Sequence, residues 1–149
     1  MSWRWYEMTD KNEVITIPDK GLEEAIKYEL NLNPNCEITK DNIKSLRWLD
    51  ASNKGILDLT GLDNAINLEE LYLGYNQIED ISTLSELTNL KILNLSNNQI
   101  QDIKVLSDLI NLKKLYLNNN KIDDISLLLN ITKLQSIDLS NNQIKDIEE

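Results

Sequence analysis

The stretch LKILNLSNNQIQDI, residues 90–103, decides the fold because the chain repeats it at a fixed interval. Residues 68–81 read LEELYLGYNQIEDI, residues 112–125 read LKKLYLNNNKIDDI, and residues 134–147 read LQSIDLSNNQIKDI. The copies therefore begin at Leu68, Leu90, Leu112 and Leu134, with a constant 22-residue period. A fixed period of this length indicates one structural unit stacked on copies of itself, which is the architecture of a solenoid.

The same frame extends one repeat towards the N-terminus. Leu46, Leu49 and Ile56 stand one full period before Leu68, Leu71 and Ile78, although Lys54 replaces the Asn of the other copies. A degenerate first copy is expected because terminal repeats are atypical. We therefore predict an N-terminal cap over residues 1–45 and five 22-residue repeats over residues 46–149, the last one incomplete.

The cap contains helix signals and a short aromatic cluster. Pro18-Asp19 predicts the start of a helix, and Thr39 predicts the cap of a second short helix over residues 40–46. Residues 3–17 alternate in a way that predicts a short β-hairpin. This hairpin carries Trp3, Trp5 and Tyr6, which either seal the first repeat or form a second contact surface.

The pattern LxxLxLxxNxIxDI resembles the leucine-rich repeat of the internalin type, a bacterial class close to the SDS22-like repeats. The upstream stretch IPDKGLEEAIKYEL, residues 17–30, is similar to the helical cap that precedes such repeats. The resemblance implies an α/β solenoid. It would form a right-handed superhelix with a parallel concave β-sheet of about five strands and a helical N-terminal cap.

Two polar columns run along the repeats. The Asn column sits where each strand turns away, so its amides can bridge backbone groups of successive turns, and we expect a structural role. The Asp column, which includes Asp58, Asp80 and Asp102, suggests either caps for the following helical turn or a calcium ladder. One carboxylate per repeat favours capping. The Asn column comprises Asn76, Asn98, Asn120 and Asn142.

Alternation within each strand leaves a set of side chains outside the core, on the concave face. Four of the chain's eight aromatic residues lie there, and the solenoid core requires no aromatic at these positions. Exposed Trp and Tyr anchor many protein interfaces, although β-propensity also favours them in strands. The predicted partner-binding residues are Trp48, Asp50, Glu70, Tyr72, Tyr75, Ile92, Asn94, Lys114, Tyr116 and Asp138.

Composition excludes several classes of function. The chain has no His and a single Cys, Cys36, so a disulfide, a Cys/His zinc site and a His-dependent triad are all excluded within it. Its net charge of −10 opposes binding to nucleic acid or to anionic membranes. We expect no cofactor, no metal and no membrane insertion. The first residues lack a signal peptide, so we expect a cytoplasmic protein, or a secreted or surface protein if the chain is a processed fragment.

These observations predict a non-catalytic module that binds a protein partner on its concave face. Glycan binding on the aromatic residues is an alternative. A structural role is another, because the last repeat, with Leu134, Ile137 and Leu139, has no cap after it and could self-associate through this edge.

Overall fold

The fold was established from a computed structural model, which describes residues 13–145. The cap contains strand β1 (Val14–Ile15), helix α1 (Lys20–Glu29), strand β2 (Ile38–Thr39) and helix α2 (Lys40–Lys44). The repeats contribute five strands of three residues each. These are β3 (Trp48–Asp50), β4 (Glu70–Tyr72), β5 (Ile92–Asn94), β6 (Lys114–Tyr116) and β7 (Ser136–Asp138).

The five repeat strands form one parallel sheet in the order β3-β4-β5-β6-β7. Every residue pairs with its equivalent in the next repeat, as in the run Leu49, Leu71, Leu93. This in-phase register follows from the 22-residue period, because each coil places the same position directly over its neighbour. The prediction of a parallel sheet of about five strands is confirmed.

The core lies between the sheet and four short 3-10 segments on the opposite side. The central leucine of each strand from β3 to β6 is fully buried, and so are Leu84, Leu106 and Leu109 from the return segments. The core is therefore a stack of similar leucine and isoleucine layers, in which each layer buries its apolar surface only against its neighbours. The 3-10 segments are Leu62–Asn64, Ser82–Glu86, Lys104–Asp108 and Ser126–Asn130.

The Asn side chains connect adjacent coils through their amides. Asn98 Oδ1 accepts a hydrogen bond from the Ile78 backbone N–H at 3.0 Å. Asn98 Nδ2 donates to the carbonyls of Leu73 at 2.9 Å and Leu95 at 3.1 Å. Asn76 and Asn120 make the equivalent bonds in their own repeats. An amide suits this position because a single side chain can both donate to and accept from the backbone of the neighbouring coil.

The Asp side chains begin the return segments. Asp80, Asp102 and Asp124 each accept from the backbone N–H two residues later, at 2.8, 3.0 and 2.8 Å. The 3-10 segments start at that later residue, so each carboxylate satisfies the first free N–H of a helical turn. Within residues 13–145, no group of three or more His, Cys, Asp or Glu side chains could hold a metal ion.

Stability should decrease in acid through Asp58, the first member of the Asp column. The hydroxyl of Thr60, and then its backbone N–H, hold the pKa of Asp58 below its ordinary value. A depressed carboxyl pKa contributes stability above the unfolded value of about 4, and this contribution is lost as the pH falls through the folded value. We expect Asp58→Asn, which keeps the acceptor, to flatten the decrease in melting temperature between about pH 5 and pH 3. Circular dichroism at stepped pH measures this, and an unchanged profile would contradict it.

One carboxylate fastens the cap to the first repeat. Asp19 Oδ1 accepts from the Leu22 N–H at 3.1 Å, which caps α1. Its other oxygen, Oδ2, accepts from the backbone N–H groups of Leu57 at 2.9 Å and Asp58 at 3.3 Å. Asp19 was predicted only as a helix cap, and its second role depends on tertiary contact that the sequence does not display.

Two glycines allow the cap to approach the first repeat closely. A Cβ at Gly21 would lie 2.5 Å from the Lys54 carbonyl oxygen. A Cβ at Gly61, where φ is +92°, would lie 2.5 Å from Ile17 Cδ1. Both positions therefore need a residue without a side chain.

The second helix of the cap differs from its prediction. Helix α2 ends at Lys44, two residues before the predicted end at Leu46, and Leu46 instead contributes to the core. The predicted hairpin over residues 3–17, with Trp3, Trp5 and Tyr6, lies mostly outside the described residues. Its described end, Val14–Ile15, pairs antiparallel with Ile38–Thr39.

The last described layer is more exposed than the others. Ile137, at the centre of β7, is 39% exposed, whereas its equivalents in β3 to β6 are fully buried. Leu134 and Leu139 are only partly buried. No helix within residues 13–145 is both long and apolar enough to cross a membrane.

Candidate functional site

The concave face presents the outward side chains of the five strands and of the residues that follow them. Trp48 is exposed, and Tyr72, Ile92 and Tyr116 are half-buried among their neighbours. Register places Tyr72 and Tyr116 in one row with Asn94 between them, so their backbone positions are two strand spacings, about 10 Å, apart. Ile92 and Lys114 belong to the neighbouring row, next to each other on β5 and β6.

Three of the predicted partner-binding residues also have a local structural contact. The side chains of Asp50, Asn94 and Asp138 each accept from the backbone N–H two residues later, at 2.9, 2.9 and 3.0 Å. These acceptors stabilise the turns that follow β3, β5 and β7. The turn therefore explains at least in part why these positions hold Asp or Asn. The sequence did not reveal this structural role.

The same row alternates between acceptor and aromatic residues. The two tyrosines of the row, Tyr72 and Tyr116, have no such turn contact to explain them. Gly74 stands two residues after Tyr72, and a Cβ there would lie 3.1 Å from Ser96 Oγ and 3.3 Å from Asn94 Oδ1. The lack of a side chain at Gly74 in repeat 2 therefore leaves room for the Asn94–Ser96 hydrogen bond of repeat 3.

An aromatic pair and two acids occupy the N-terminal end of the face. The rings of Trp48 and Tyr72 lie 6.2 Å apart between centroids with an interplanar angle of 52°. The Tyr72 hydroxyl donates to Glu70 Oε2 at 2.9 Å. Burial, followed by this hydrogen bond, raises the pKa of Tyr72 above its ordinary value, so the phenol stays protonated at neutral pH.

Tyr75 has an unusual backbone conformation. Its φ is +59°, in the left-handed region, and the equivalent residues of the other repeats are Asn53, Asn97, Asn119 and Asn141. Asn tolerates this region much better than a bulky side chain does. The Tyr75 side chain is 65% exposed, so burial does not compensate for the strain. Residues held in such sparsely populated backbone regions cluster at functional sites.

Returning Tyr75 to the repeat consensus should therefore stabilise the protein. We expect Tyr75→Asn to raise the free energy of unfolding by about 1 kcal/mol, because asparagine relieves left-handed strain. The melting temperature should rise by about 3 °C. Thermal unfolding followed by circular dichroism measures the effect. Gln77→Ala, an exposed change two residues away, is the control, and a lower melting temperature for Tyr75→Asn would refute the assignment of strain.

Surface cavities lie away from the concave face. One, of about 370 Å³, opens between repeats 3 and 4 beside Asp102, Lys104 and Asp124. Hydrogen bonds from the backbone and hydroxyl of Ser126 hold the pKa of Asp124 below its ordinary value. A carboxyl that is ionised so readily is a poor general acid at neutral pH. A second cavity, of about 500 Å³, lies on the outer side of α1 beside the exposed Tyr28.

Comparison with known families identifies the repeats. The family model described as leucine-rich repeats (2 copies) matches residues 44–86, 66–109 and 110–149. These matches cover the whole region of the five predicted repeats. The sequence has no match among curated proteins.

Solved structures extend the similarity to the cap. The internalin InlF from Listeria monocytogenes is 30% identical, with a TM-score of 0.76 over 88% of this chain and 46% of InlF. The internalin InlC2 from the same species is 29% identical, with a TM-score of 0.66 over 92% of this chain and 72% of InlC2. A leucine-rich repeat protein from Leptospira interrogans is 32% identical, with a TM-score of 0.56 over 60% of this chain and 24% of that protein. The chain thus spans about half the length of InlF.

Proposed function

Because the chain belongs to the leucine-rich repeat proteins, with repeats of the internalin type, we propose that its concave face binds a protein partner. The contact residues are the aromatic side chains of Trp48, Tyr72, Tyr75 and Tyr116, together with Ile92. Proteins of this architecture bind protein partners along the surfaces that the repeat leaves variable.

Tyr75 is the observation that carries the proposal. Each of the other four repeats has Asn where Tyr75 stands, and the left-handed backbone explains that Asn. A tyrosine weakens the fold at this position and exposes a large ring to solvent. Binding gives a reason for it, because tyrosine combines rigid apolar area with a polar hydroxyl and is enriched at interface hot spots.

The size of the surface fits a modest protein interface. Five strands at about 4.8 Å span roughly 20 Å. With the residues on both sides of the strands, such a face can bury about 800 Å² on each partner, which is the standard size for a specific complex. The five proposed contact residues lie on repeats 1 to 4, so one partner can reach all of them.

The proposed module has no catalytic role. The concave face holds carboxylates and hydroxyl groups on an open surface, where water screens their charges. A hydrolase that uses two carboxylates needs them about 5–9 Å apart around an enclosed substrate. Asp50 and Glu70 stand on an exposed sheet.

A pull-down with the intact chain as bait tests the proposal. Bait carrying Tyr72→Ala with Tyr116→Ala serves as the comparison, and bound proteins are identified by mass spectrometry. A partner that is captured by the intact chain and lost by the double variant supports the concave face. A partner that both baits retain equally counts against it. Capture of untagged copies of this chain by both baits would instead favour self-association through the edge of β7.

A further inference from the structure

The first two strands of the sheet carry a square of two aromatic and two acidic side chains. Trp48 and Asp50 lie on β3, and Glu70 and Tyr72 lie on β4. Register pairs Trp48 with Glu70 and Asp50 with Tyr72, so each ring faces a carboxylate across the strands. All four side chains share the concave face because they occupy alternate positions on neighbouring strands. The two rings meet along the diagonal, 6.2 Å apart.

Within residues 13–145, the two carboxylates of this square have no cationic partner. Among the described residues, neither Asp50 nor Glu70 forms an ion pair with a lysine or arginine. The adjacent Glu69, in contrast, pairs with Lys91. Asp50 accepts one backbone hydrogen bond, from Ser52, and Glu70 accepts one from the Tyr72 hydroxyl. A carboxylate has room for about four hydrogen bonds, so both retain free acceptor sites.

This arrangement favours one class of ligand group. An apolar side chain placed on the rings would remove water from two unpaired carboxylates, which is unfavourable. A cation placed there meets the negative faces of two rings and two negative charges at once. A guanidinium group suits the site better than an ammonium group. It is planar, stacks on aromatic rings, and presents five N–H donors that can reach carboxylates on two sides.

We propose that the square formed by Trp48, Asp50, Glu70 and Tyr72 receives an arginine side chain of the protein partner. This inference rests on the proposed function, because it describes one contact within that interface. The guanidinium lies against the Trp48 and Tyr72 rings, and its N–H groups donate to Asp50 and Glu70. Removing water from the rings as the partner docks strengthens both the cation–π and the ionic interactions.

The position of Lys114 makes the charge of the concave face differ between its two ends, which favours one orientation of the partner. Lys114 follows Glu70 and Ile92 in the same row, two strand spacings or about 10 Å from Glu70. The face is therefore acidic at β3 and β4, apolar at Ile92 and basic at β6. A partner with an arginine at one end of its contact segment and an acidic residue at the other fits this order, and the reverse orientation would oppose like charges.

A matched pair of peptides tests the arginine site without the partner. The probe is the peptide acetyl-Gly-Arg-Gly-amide, and its control carries citrulline, a neutral group of nearly the same shape. The intact ¹⁵N-labelled chain is titrated, and the indole N–H signal of Trp48 is followed after assignment with Trp48→Phe. We expect saturable shifts with a Kd of about 10 mM for the arginine peptide and at least about tenfold weaker binding for citrulline.

A charge-neutral variant makes the test specific. Glu70→Gln keeps an acceptor for the Tyr72 hydroxyl but removes the charge. It should therefore raise the Kd of the arginine peptide about threefold. Glu86→Gln, on the opposite side of the repeat, should have no effect. Equal shifts with both peptides, or no shift of Trp48 with the arginine peptide at about 50 mM, would overturn the proposal.

The outcomes separate this inference from the proposed function. If a captured partner depends on Tyr116 but its affinity is unchanged by Glu70→Gln, the concave face binds a protein without the arginine contact. If the arginine peptide shifts Trp48 but no partner depends on the concave face, the site exists and the proposed function fails.

Discussion

Replacing Asn98 with alanine is expected to lower the free energy of unfolding by about 3 kcal/mol and the melting temperature by about 10 °C. The Asn98 side chain is buried and joins two coils. Its removal leaves the Ile78 N–H without its hydrogen-bond partner. An unsatisfied buried donor costs about 1–3 kcal/mol.

The remaining cost comes from lost hydrogen bonds on the donor side of the amide. The carbonyl of Leu73 keeps Asn76 as a donor, and the carbonyl of Leu95 keeps Asn120. These two lost bonds therefore contribute about 1 kcal/mol each at most. Because a solenoid is stabilised by contacts between neighbours, the change should weaken the coupling of repeats 2 and 3 and lower the cooperativity of unfolding.

Chemical and thermal denaturation measure this effect. Asn89→Ala is the matched control, because Asn89 also bridges to the preceding repeat but makes one exposed hydrogen bond, to the Ile66 carbonyl at 2.9 Å. It should cost less than about 1 kcal/mol. Partner affinity per folded molecule should be unchanged in Asn98→Ala. An equal loss of stability in both variants would contradict the proposal that the buried Asn column stabilises the contact between coils more than an exposed asparagine does.

The double variant Tyr72→Ala with Tyr116→Ala is expected to raise the Kd for the partner by about 100-fold or more. Truncation of a central aromatic anchor commonly costs about 2 kcal/mol or more, and the two rings stand in one row of the face. The two effects are not expected to add fully, because anchors share the surrounding surface that excludes water. Isothermal titration with the partner from the pull-down measures the change.

A stability measurement on the same sample keeps the result interpretable. Both rings are only half-buried, so the melting temperature should change by a few degrees at most. Leu57→Ala with Ile110→Ala is the matched control, since both residues are more than half exposed and lie outside the strands. This pair removes a similar amount of apolar surface elsewhere. If it weakens binding as much as the tyrosine pair, the concave face is the wrong surface.

The repeat architecture was predictable because its signal is periodic. Leu71, Leu93 and Leu115 recur in phase, and their 22-residue period leaves few alternatives to stacked coils. The positions of core and surface residues followed from strand alternation. The family model and the solved relatives confirm the leucine-rich repeat fold.

Contacts across the cap could not be predicted in the same way. The bond from Asp19 to the backbone of Leu57, and the close approach at Gly21, depend on how two different units meet. No period links them in the sequence. The end of α2 at Lys44 was predicted two residues too late for a related reason. Leu46 is buried in the core of the repeats, and this burial competes with continuation of the helix.

The roles of the residues on the concave face could be predicted only in part from the sequence. Removal of the core and turn positions left Asp50, Asn94 and Tyr75 alike among the outward residues. Backbone geometry separates them, since Asp50 and Asn94 close turns whereas Tyr75 occupies a left-handed position that its four equivalents fill with Asn. The asparagines at these four equivalent positions were a signal visible in the sequence, because Asn is favoured at positive φ.

We propose that the partner binds where the chain departs from its own repeat, above all at Tyr75. Restoring the repeat with Tyr75→Asn should therefore move stability and affinity in opposite directions. The measurement is the Kd of the purified variant for the partner, taken beside its melting temperature. We predict a Kd raised by about tenfold or more together with a higher melting temperature. A higher melting temperature with an unchanged Kd would contradict the account.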